Sequence, residues 1–296
     1  MTRVGRRLMV IHNPHASGGG YRRDLPLILD ALRGLGYEVE ERETEAVGHA
    51  TALSREAVDA GFGVVCAIGG DGTVNEVLNG LACSDVPLAI IPTGTVNVLA
   101  MELGIPLDPP DAVRLLDGGN ITSIDLGLAN DRYFGLMAGV GMDAAVVAAP
   151  HPTMKRAFKE AAFALQGVAH VIGSNDPRIR VVTDERTVEG YFAVFGNSPS
   201  YGGAFGITPL ADMRDGLLDV CVLKDKSFLS TAAFWSAALL NAHMRHPKVE
   251  YFRTEHALVT CLDESKEVPV QVDGEVAGHL PLTCVVVPRA LLVVVP

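Results

Sequence analysis

The chain lacks an uninterrupted apolar run of the ~20 residues that a membrane span requires. The best candidate, Phe228 to Leu240, is broken by Ser230, Thr231 and Ser236, so a helix is expected there but not a transmembrane segment. Positive charge is scarce: 24 Lys and Arg face 35 Asp and Glu, for a formal net charge of -11. With no Lys/Arg stripe either, a nonspecific nucleic-acid partner is not expected. Cysteine is sparse and unpaired in pattern. Cys66, Cys83, Cys221, Cys261 and Cys284 form no CxxC, which excludes the usual zinc and dithiol motifs and reads as reduced core thiols of a cytoplasmic protein. The nine histidines show no metal-ligand spacing. Behind Arg3, Arg6 and Arg7 the apolar run is only Leu8 to Ile11, too short for a secretory signal. There is no GxxxxGK[ST] stretch and no HRD or DFG set, so neither the P-loop nor the protein-kinase way of holding phosphate applies.

What is present is glycine in particular places. The apolar run Val64 to Ile68 gives way to Gly69-Gly70-Asp71-Gly72-Thr73, after which Val74, Val77, Leu78 and Leu81 recur at the spacing of one helix face. A glycine turn between a strand and a helix lets main-chain N–H groups approach a phosphate at a helix N-terminus. Asp71 would repel that phosphate, and a magnesium ion between them is one way to relieve the repulsion. The pentapeptide alone is also an ordinary connection. A second such turn follows: the apolar segment Pro87 to Ile91 leads into Pro92-Thr93-Gly94-Thr95-Val96-Asn97 and a helical stretch towards Leu103. In a doubly wound sheet, successive strand ends converge, so Thr93, Thr95 and Asn97 can reach the same ligand; Asn97 can equally be a helix cap. A third loop, Asn13 to Gly20, follows the strand Leu8 to Ile11.

The texture changes near Asp125. Before it, strand-like runs alternate with helical stretches (Leu25 to Leu35, Ala50 to Ala60, Thr73 to Leu81, Asn97 to Leu103), which predicts a parallel sheet flanked by helices. Beyond it, Arg178 to Thr183, Tyr191 to Phe195, Leu217 to Leu223, Ala257 to Leu262, Val268 to Val272 and Thr283 to Val287 are β-branched or aromatic runs between Gly, Asp and Pro, which predicts a β-sandwich with inserted helices. In Phe228 to Leu240, the residues Phe228, Ala232, Trp235 and Leu239 share a face expected to pack on the second domain, or to border a lipid groove. Lys155, Arg156 and Lys159 read as a solvated helix face or as a contact for an anionic membrane surface.

Together these residues resemble the diacylglycerol kinase catalytic-domain family, which includes soluble bacterial lipid kinases and the sphingosine and ceramide kinases. The family pattern has an Asn-Pro-Gly loop, GGDGT followed by Asn-Glu, a Pro-x-Gly-Thr-x-Asn segment and a late Asp-Gly-Glu. Here these are Asn13 to Gly20, Gly69 to Glu76, Pro92 to Asn97 and Asp273-Gly274-Glu275. The resemblance spans the chain. It implies an α/β nucleotide-binding domain over 1–126, completed by 286–296, and a β-sandwich acceptor domain over 127–285, with Leu291 to Val295 returning to the first. It implies ATP and Mg2+ as cofactors, with Asn13, Pro14, Ser17, Gly18, Thr44, Gly69, Gly70, Asp71, Gly72, Thr73, Asn75, Glu76, Thr93, Gly94, Thr95 and Asn97 at the nucleotide.

Glu275 is implied as the general base, with Asp71 also catalytic. On its residues alone, Asp273-Gly274 is a hairpin turn. Asp212 and Leu217, through their carbonyls, and Asp215, through its side chain, resemble a structural magnesium loop, although Asp215-Gly216 can be a simple turn before a strand. Asp125 matches a carboxylate of the family's metal and water network. The implied partner is a lipid substrate at a membrane surface, reached by a cytoplasmic protein with transient peripheral contact, and the family suggests a homodimer. The chain departs at Val98 and Met101, where many members carry aspartate and arginine. An NAD kinase-like enzyme, or a nucleotide-binding regulator without kinase activity, are the alternatives.

Overall fold

The computed structural model describes residues 5–14, 23–141, 177–200 and 206–296. Ser17 and Gly18 of the expected nucleotide loop, with His15, Gly19 and Gly20, and the basic residues Lys155, Arg156 and Lys159 lie outside the described residues. The chain divides into two compact units, Met1–Leu126 with Pro288–Pro296, and Gly127–Val287.

In the first unit, strands β1 (Arg7–His12), β2 (Glu38–Glu43), β3 (Val64–Gly69) and β4 (Leu88–Pro92) pair in parallel in the order β2-β1-β3-β4. Strands β3 and β4 are buried along their whole length, which is why they read as unbroken apolar runs rather than as alternating ones. Strand β2, with the sequence Glu-Val-Glu-Glu-Arg-Glu, is charged as an edge strand can be. It has no apolar signature, and its pairing to β1 makes it a strand. Helices α1 (Leu25–Gly34), α2 (His49–Asp59), α3 (Asp71–Leu81), α4 (Val98–Glu102) and α5 (Pro109–Gly118) follow between the strands and after β4. Helix α3 buries Val74, Val77, Leu78 and Leu81 as their spacing predicts. It begins at Asp71, two residues before the expected stretch Thr73 to Leu81. The end of the last strand, β16 (Leu282–Val295), adds to this sheet, with Val293 beside Leu88 in parallel register.

The second unit is built on antiparallel strands. One sheet has the order β12 (Val249–Thr254), β11 (Leu218–Leu223), β10 (Phe192–Gly196), β7 (Met137–Gly141), β14 (Pro269–Val272), β15 (Glu275–His279). Opposite it, β13 (His256–Cys261) pairs with β8 (Ile179–Val182) and the first part of β16, β8 pairs with β9 (Thr187–Gly190), and the end of β5 (Asn120–Ala129) pairs with β6 (Arg132–Phe134). Strand β10 shows why the core has two layers. Ala193 and Phe195 point into the sandwich with Val140, Val220, Val259 and Cys284, whereas Phe192 and Val194 point the other way, onto helix α6 (Phe228–Ala238). Alternation along the strand puts these pairs on opposite faces, and both are covered. The expected α/β domain with a parallel sheet and the β-sandwich are both present.

The packing face of α6 differs from expectation. Its buried side chains are Ser230, Thr231, Phe234, Trp235 and Ala238, while Phe228 and Leu239 of the predicted face are exposed. The helix is apolar all round, so spacing cannot choose a face. The sheet chooses: Phe234 and Trp235 meet Phe192 edge-on, with ring centroids 5.4 and 5.9 Å away. None of the five cysteines is in a disulfide. Cys66, Cys221 and Cys284 are buried core residues as expected, Cys261 is half-buried, and Cys83 is exposed at a positive-φ turn. Among the described residues no helix is long and apolar enough to cross a membrane.

Candidate functional site

The two glycine turns of the first unit meet. A Cβ added to Gly94 would lie 2.4 Å from the Cα of Gly70, and one added to Gly70 would lie 3.2 Å from the Cα of Gly94. The two backbones therefore touch, and a side chain on Gly94 would force them apart. The Thr93 N–H donates to the Gly69 carbonyl at 3.0 Å, extending the β3–β4 pairing into the turns. The first hydrogen bond of α3 runs from the Val74 N–H to the Gly70 carbonyl at 3.1 Å, so the N–H groups of Gly72 and Thr73 precede it and have no helical acceptor. Such an end attracts an anion.

Asp71 finds main-chain partners. Its Oδ1 accepts the Val98 N–H at 2.6 Å and its Oδ2 the Asn97 N–H at 3.1 Å. The carboxylate thus caps α4 from outside its own helix, and the positive end of α4 offsets its charge. A cation is not needed to account for the carboxylate. Burial pushes the Asp71 carboxyl up from its ordinary value, while the N–H groups of Val98, Leu99 and Asn97 pull it back. Asn97, at φ 59°, places α4 without capping it by its side chain. Its Oδ1 accepts the Gly94 N–H at 2.9 Å and its Nδ2 donates to the Gly94 carbonyl at 3.0 Å, bracing the turn. Thr95 is exposed beside it. Val98 is buried and Met101 partly exposed.

Neighbouring residues lock this frame. Glu76 reaches across to α2, where its carboxylate accepts the Ala50 N–H at 3.0 Å and its carbonyl accepts the Thr51 hydroxyl at 2.8 Å. Helix α2 starts behind Gly48, which has no side chain to cap it, and Glu76 supplies the missing acceptor. Asn75 and Thr73 are buried in α3. Thr44 is buried, with its N–H on the His12 carbonyl at 2.9 Å. Asn13 and Pro14 follow β1 directly. His12 is buried, and its Nε2 lies 3.0 Å from Glu41 Oε1 on β2. Asp125 is buried and accepts the Arg289 N–H at 2.7 Å, where β16 bends at a residue of φ 52°.

In the second unit, Asp273-Gly274 is a two-residue hairpin turn between β14 and β15, with φ of 47° and 84°. Asp273 also acts as a clamp: its carboxylate accepts the N–H groups of Gly135, Leu136 and Met137 at 3.0, 3.0 and 2.9 Å. The turn and the β6–β7 link are therefore one unit. Glu275 opens β15 with its side chain half-exposed, and Arg132 on β6 donates to its Oε2 at 2.5 Å. Motif reading did not find Arg132, because nothing in sequence places β6 beside residue 275.

In the other Asp-Gly turn, Asp215 Oδ1 accepts the Leu217 N–H at 3.0 Å, Asp212 Oδ1 accepts the Arg214 N–H at 3.1 Å, and Gly216 has φ 74°. One carboxylate and the Asp212 and Leu217 carbonyls are hard oxygen donors of the kind magnesium takes. Arg253, also outside the motifs, lies 3.7 Å from Asp215 Oδ2 and 3.4 Å from Asp219 Oδ1 and would share that carboxylate. Among the described residues no three His, Cys, Asp or Glu side chains gather as a metal-holding group.

Residues 7–129 match the diacylglycerol kinase catalytic domain, and residues 137–295 match the YegS C-terminal NAD kinase beta sandwich-like domain. The chain is 30% identical over 280 residues to the diacylglycerol kinase of Staphylococcus saprophyticus, covering 93% of this chain and 91% of that one. Its match to the Staphylococcus aureus diacylglycerol kinase is also 30% identical, over 93% of this chain and 88% of the relative. A crystal structure of a Bacillus anthracis diacylglycerol kinase has the same fold, with a TM-score of 0.75 at 21% identity over 98% of this chain and 97% of that one. On these matches, which span both units, the chain belongs to the diacylglycerol kinase catalytic-domain family.

Proposed function

We propose that the chain is an ATP- and Mg2+-dependent lipid kinase that moves the γ-phosphate of ATP to a hydroxyl of diacylglycerol or a related lipid. The observation that carries this reading is the contact of Gly70 with Gly94 at the start of α3. It leaves two turns with bare backbone at a helix N-terminus whose first N–H groups have no helical acceptor, a setting suited to phosphate oxygens. Relatives named diacylglycerol kinase along nearly the whole chain support the acceptor class.

In this reading the Gly69–Thr73 and Pro92–Asn97 turns bind the nucleotide, and Asp71 keeps them together by capping α4. Magnesium, when bound, supplies charge neutralisation on the phosphate oxygens, and Asp215 with the Asp212 and Leu217 carbonyls would hold an ion in a structural role. Glu275 takes the proton of the lipid hydroxyl as that oxygen bonds to the γ-phosphorus and the bond to the ADP oxygen breaks. Arg132 donates to Glu275 Oε2, and in this reading Oε1 is the oxygen that takes the proton.

The test is transfer of label from γ-labelled ATP with Mg2+ to diacylglycerol, sphingosine, ceramide, phosphatidylglycerol and polyprenol, alongside NAD. At least one lipid is labelled by the wild type, and Glu275→Gln and Asp71→Ala lose that label. Wild type that binds ATP and labels no lipid overturns the kinase reading in favour of a nucleotide-binding regulator, the alternative that Val98 favours. Label on NAD alone points to an NAD kinase-like enzyme.

A further inference from the structure

The side of α6 turned away from the sheet has no charge on it. At 3.6 residues per turn, Phe228, Leu229, Ala232, Ser236, Leu239 and Leu240 fall within about 120° of arc, and Leu239 and Leu240 continue the helix by hydrogen bonds to the Trp235 and Ala237 carbonyls. The four large members are open to solvent, with exposures of 49% for Phe228, 79% for Leu229, 42% for Leu239 and 79% for Leu240. The opposite side holds Phe234 and Trp235 against Phe192, so this side is the surplus of a helix apolar all round. A stripe of this kind, about 18 Å long, is unusual on a protein surface unless something covers it.

The surrounding charge indicates what covers it. The chain as a whole carries -11, yet no acidic residue occurs between Asp225 and Glu250, a segment with Lys226 before the helix and Arg245 and Lys248 after it. Arg245 and Lys248 are exposed. Exposed Phe and Leu flanked by net positive charge, with Lys226, Arg245 and Lys248 against Asp225 at the N-cap Ser227, on a helix too short to span, match a helix that lies in the headgroup region of an anionic bilayer. A protein partner of ordinary composition would not call for a local reversal of sign.

We propose that the exposed face of α6, formed by Phe228, Leu229, Leu239 and Leu240 and flanked by Lys226, Arg245 and Lys248, is the surface by which the protein docks on anionic membranes. This deepens the lipid-kinase reading, because it names the surface through which the second unit meets the bilayer that presents the acceptor, and it rests on that reading for its purpose. Docking is transient: four side chains and three flanking charges give weak, salt-sensitive binding.

The experiment is co-sedimentation with vesicles of phosphatidylcholine alone or with about one-third phosphatidylglycerol, together with labelling of a short-chain diacylglycerol in detergent micelles. Wild type binds the phosphatidylglycerol vesicles, at least tenfold more tightly than the neutral ones, and 0.5 M salt removes most of that difference. Leu229→Glu with Leu240→Glu lowers vesicle binding at least tenfold and leaves micellar labelling within twofold; Leu229→Gln, a milder change at a solvent-facing position, lowers binding severalfold. Lys226→Gln with Lys248→Gln weakens binding only to the anionic vesicles. Equal vesicle binding by wild type and both leucine variants overturns the proposal. So does a dimer seen by sedimentation velocity that the double glutamate variant dissociates, because the face would then be covered by a second copy. Vesicle binding that behaves as stated in a protein that labels no lipid leaves the docking surface standing and removes the kinase reading.

Discussion

Gly70 and Gly94 in the first unit, and Gly216 and Gly274 in the second, all stand in polar turns, yet they are glycines for opposite reasons. Gly70 has an extended backbone, with φ -96° and ψ -171°, that many residues can adopt. A Cβ there would be tight at 3.2 Å from the Gly94 Cα, and one on Gly94 would have no room, at 2.4 Å from the Gly70 Cα. Gly216 and Gly274 have open space around them but φ of 74° and 84°, so there the constraint is chain reversal. The aspartates follow the same division. Asp71 turns inward to cap α4, whereas Asp273 binds three N–H groups of a neighbouring strand link and Glu275, two residues on, is half-exposed. One pair of turns builds a surface of bare backbone; the other presents a carboxylate.

This contrast can be broken at several points. Glu275→Gln has the largest expected effect on rate, about 10²- to 10⁴-fold in lipid turnover, with stability changed by less than about 0.5 kcal/mol because the side chain is half-exposed. Initial rates and urea unfolding measure the two, and a variant that loses stability in proportion to activity would make Glu275 a structural residue. Gly94→Ala forces the two turns apart and is expected to remove about 1–3 kcal/mol of stability and to weaken ATP binding in calorimetry. Gly274→Ala strains only its own φ, at about 1–2 kcal/mol, and leaves ATP binding intact. If Gly274→Ala impairs nucleotide binding as much as Gly94→Ala does, the two kinds of turn are not distinct.

Asp71→Ala removes the cap of α4 and is expected to lower stability by about 0.5–2 kcal/mol, read by urea unfolding without nucleotide; no loss would return Asp71 to a purely ligand-facing role. The smallest effect is one of pH. Burial holds the His243 imidazole below its ordinary 6.5, with Nε2 bonded to the Ile207 carbonyl at 2.8 Å. Its neutral form is therefore the folded one. Its contribution is complete above the unfolded value and is lost as pH falls below about 6.5 towards the lower folded value. His243→Gln, which keeps a donor, is expected to flatten the fall of Tm over that range, and an unchanged slope would show that other groups set it.

The glycine turns were readable because their chemistry is local. Strand, turn and helix follow one another within a few residues, and Val74, Val77, Leu78 and Leu81 show their period directly. What could not be read involves distant partners. Glu76 serves α2 through Ala50, and no period or spacing connects those positions. Arg132 and Glu275 are 143 residues apart. Strand β2 has no strand signature, since its register against β1 is supplied by the neighbour. The face of α6 was misjudged for a related reason: an apolar residue stands at almost every position, and only the rings of Phe192, Phe234 and Trp235 select one side.

By itself, then, the sequence determined the two architectures, because periodicity and turn chemistry are properties of adjacent residues. It also determined the glycine and Asp-Gly motifs around which a site can form. The tertiary structure alone decided what each side chain in those motifs does: Asp71 capping a second helix, Asn97 bracing its own turn, Asp273 clamping a strand link, Arg132 holding Glu275. The physical reason is that a carboxylate or amide takes whichever donors packing brings within about 3 Å, and packing is set by contacts between residues far apart in the chain.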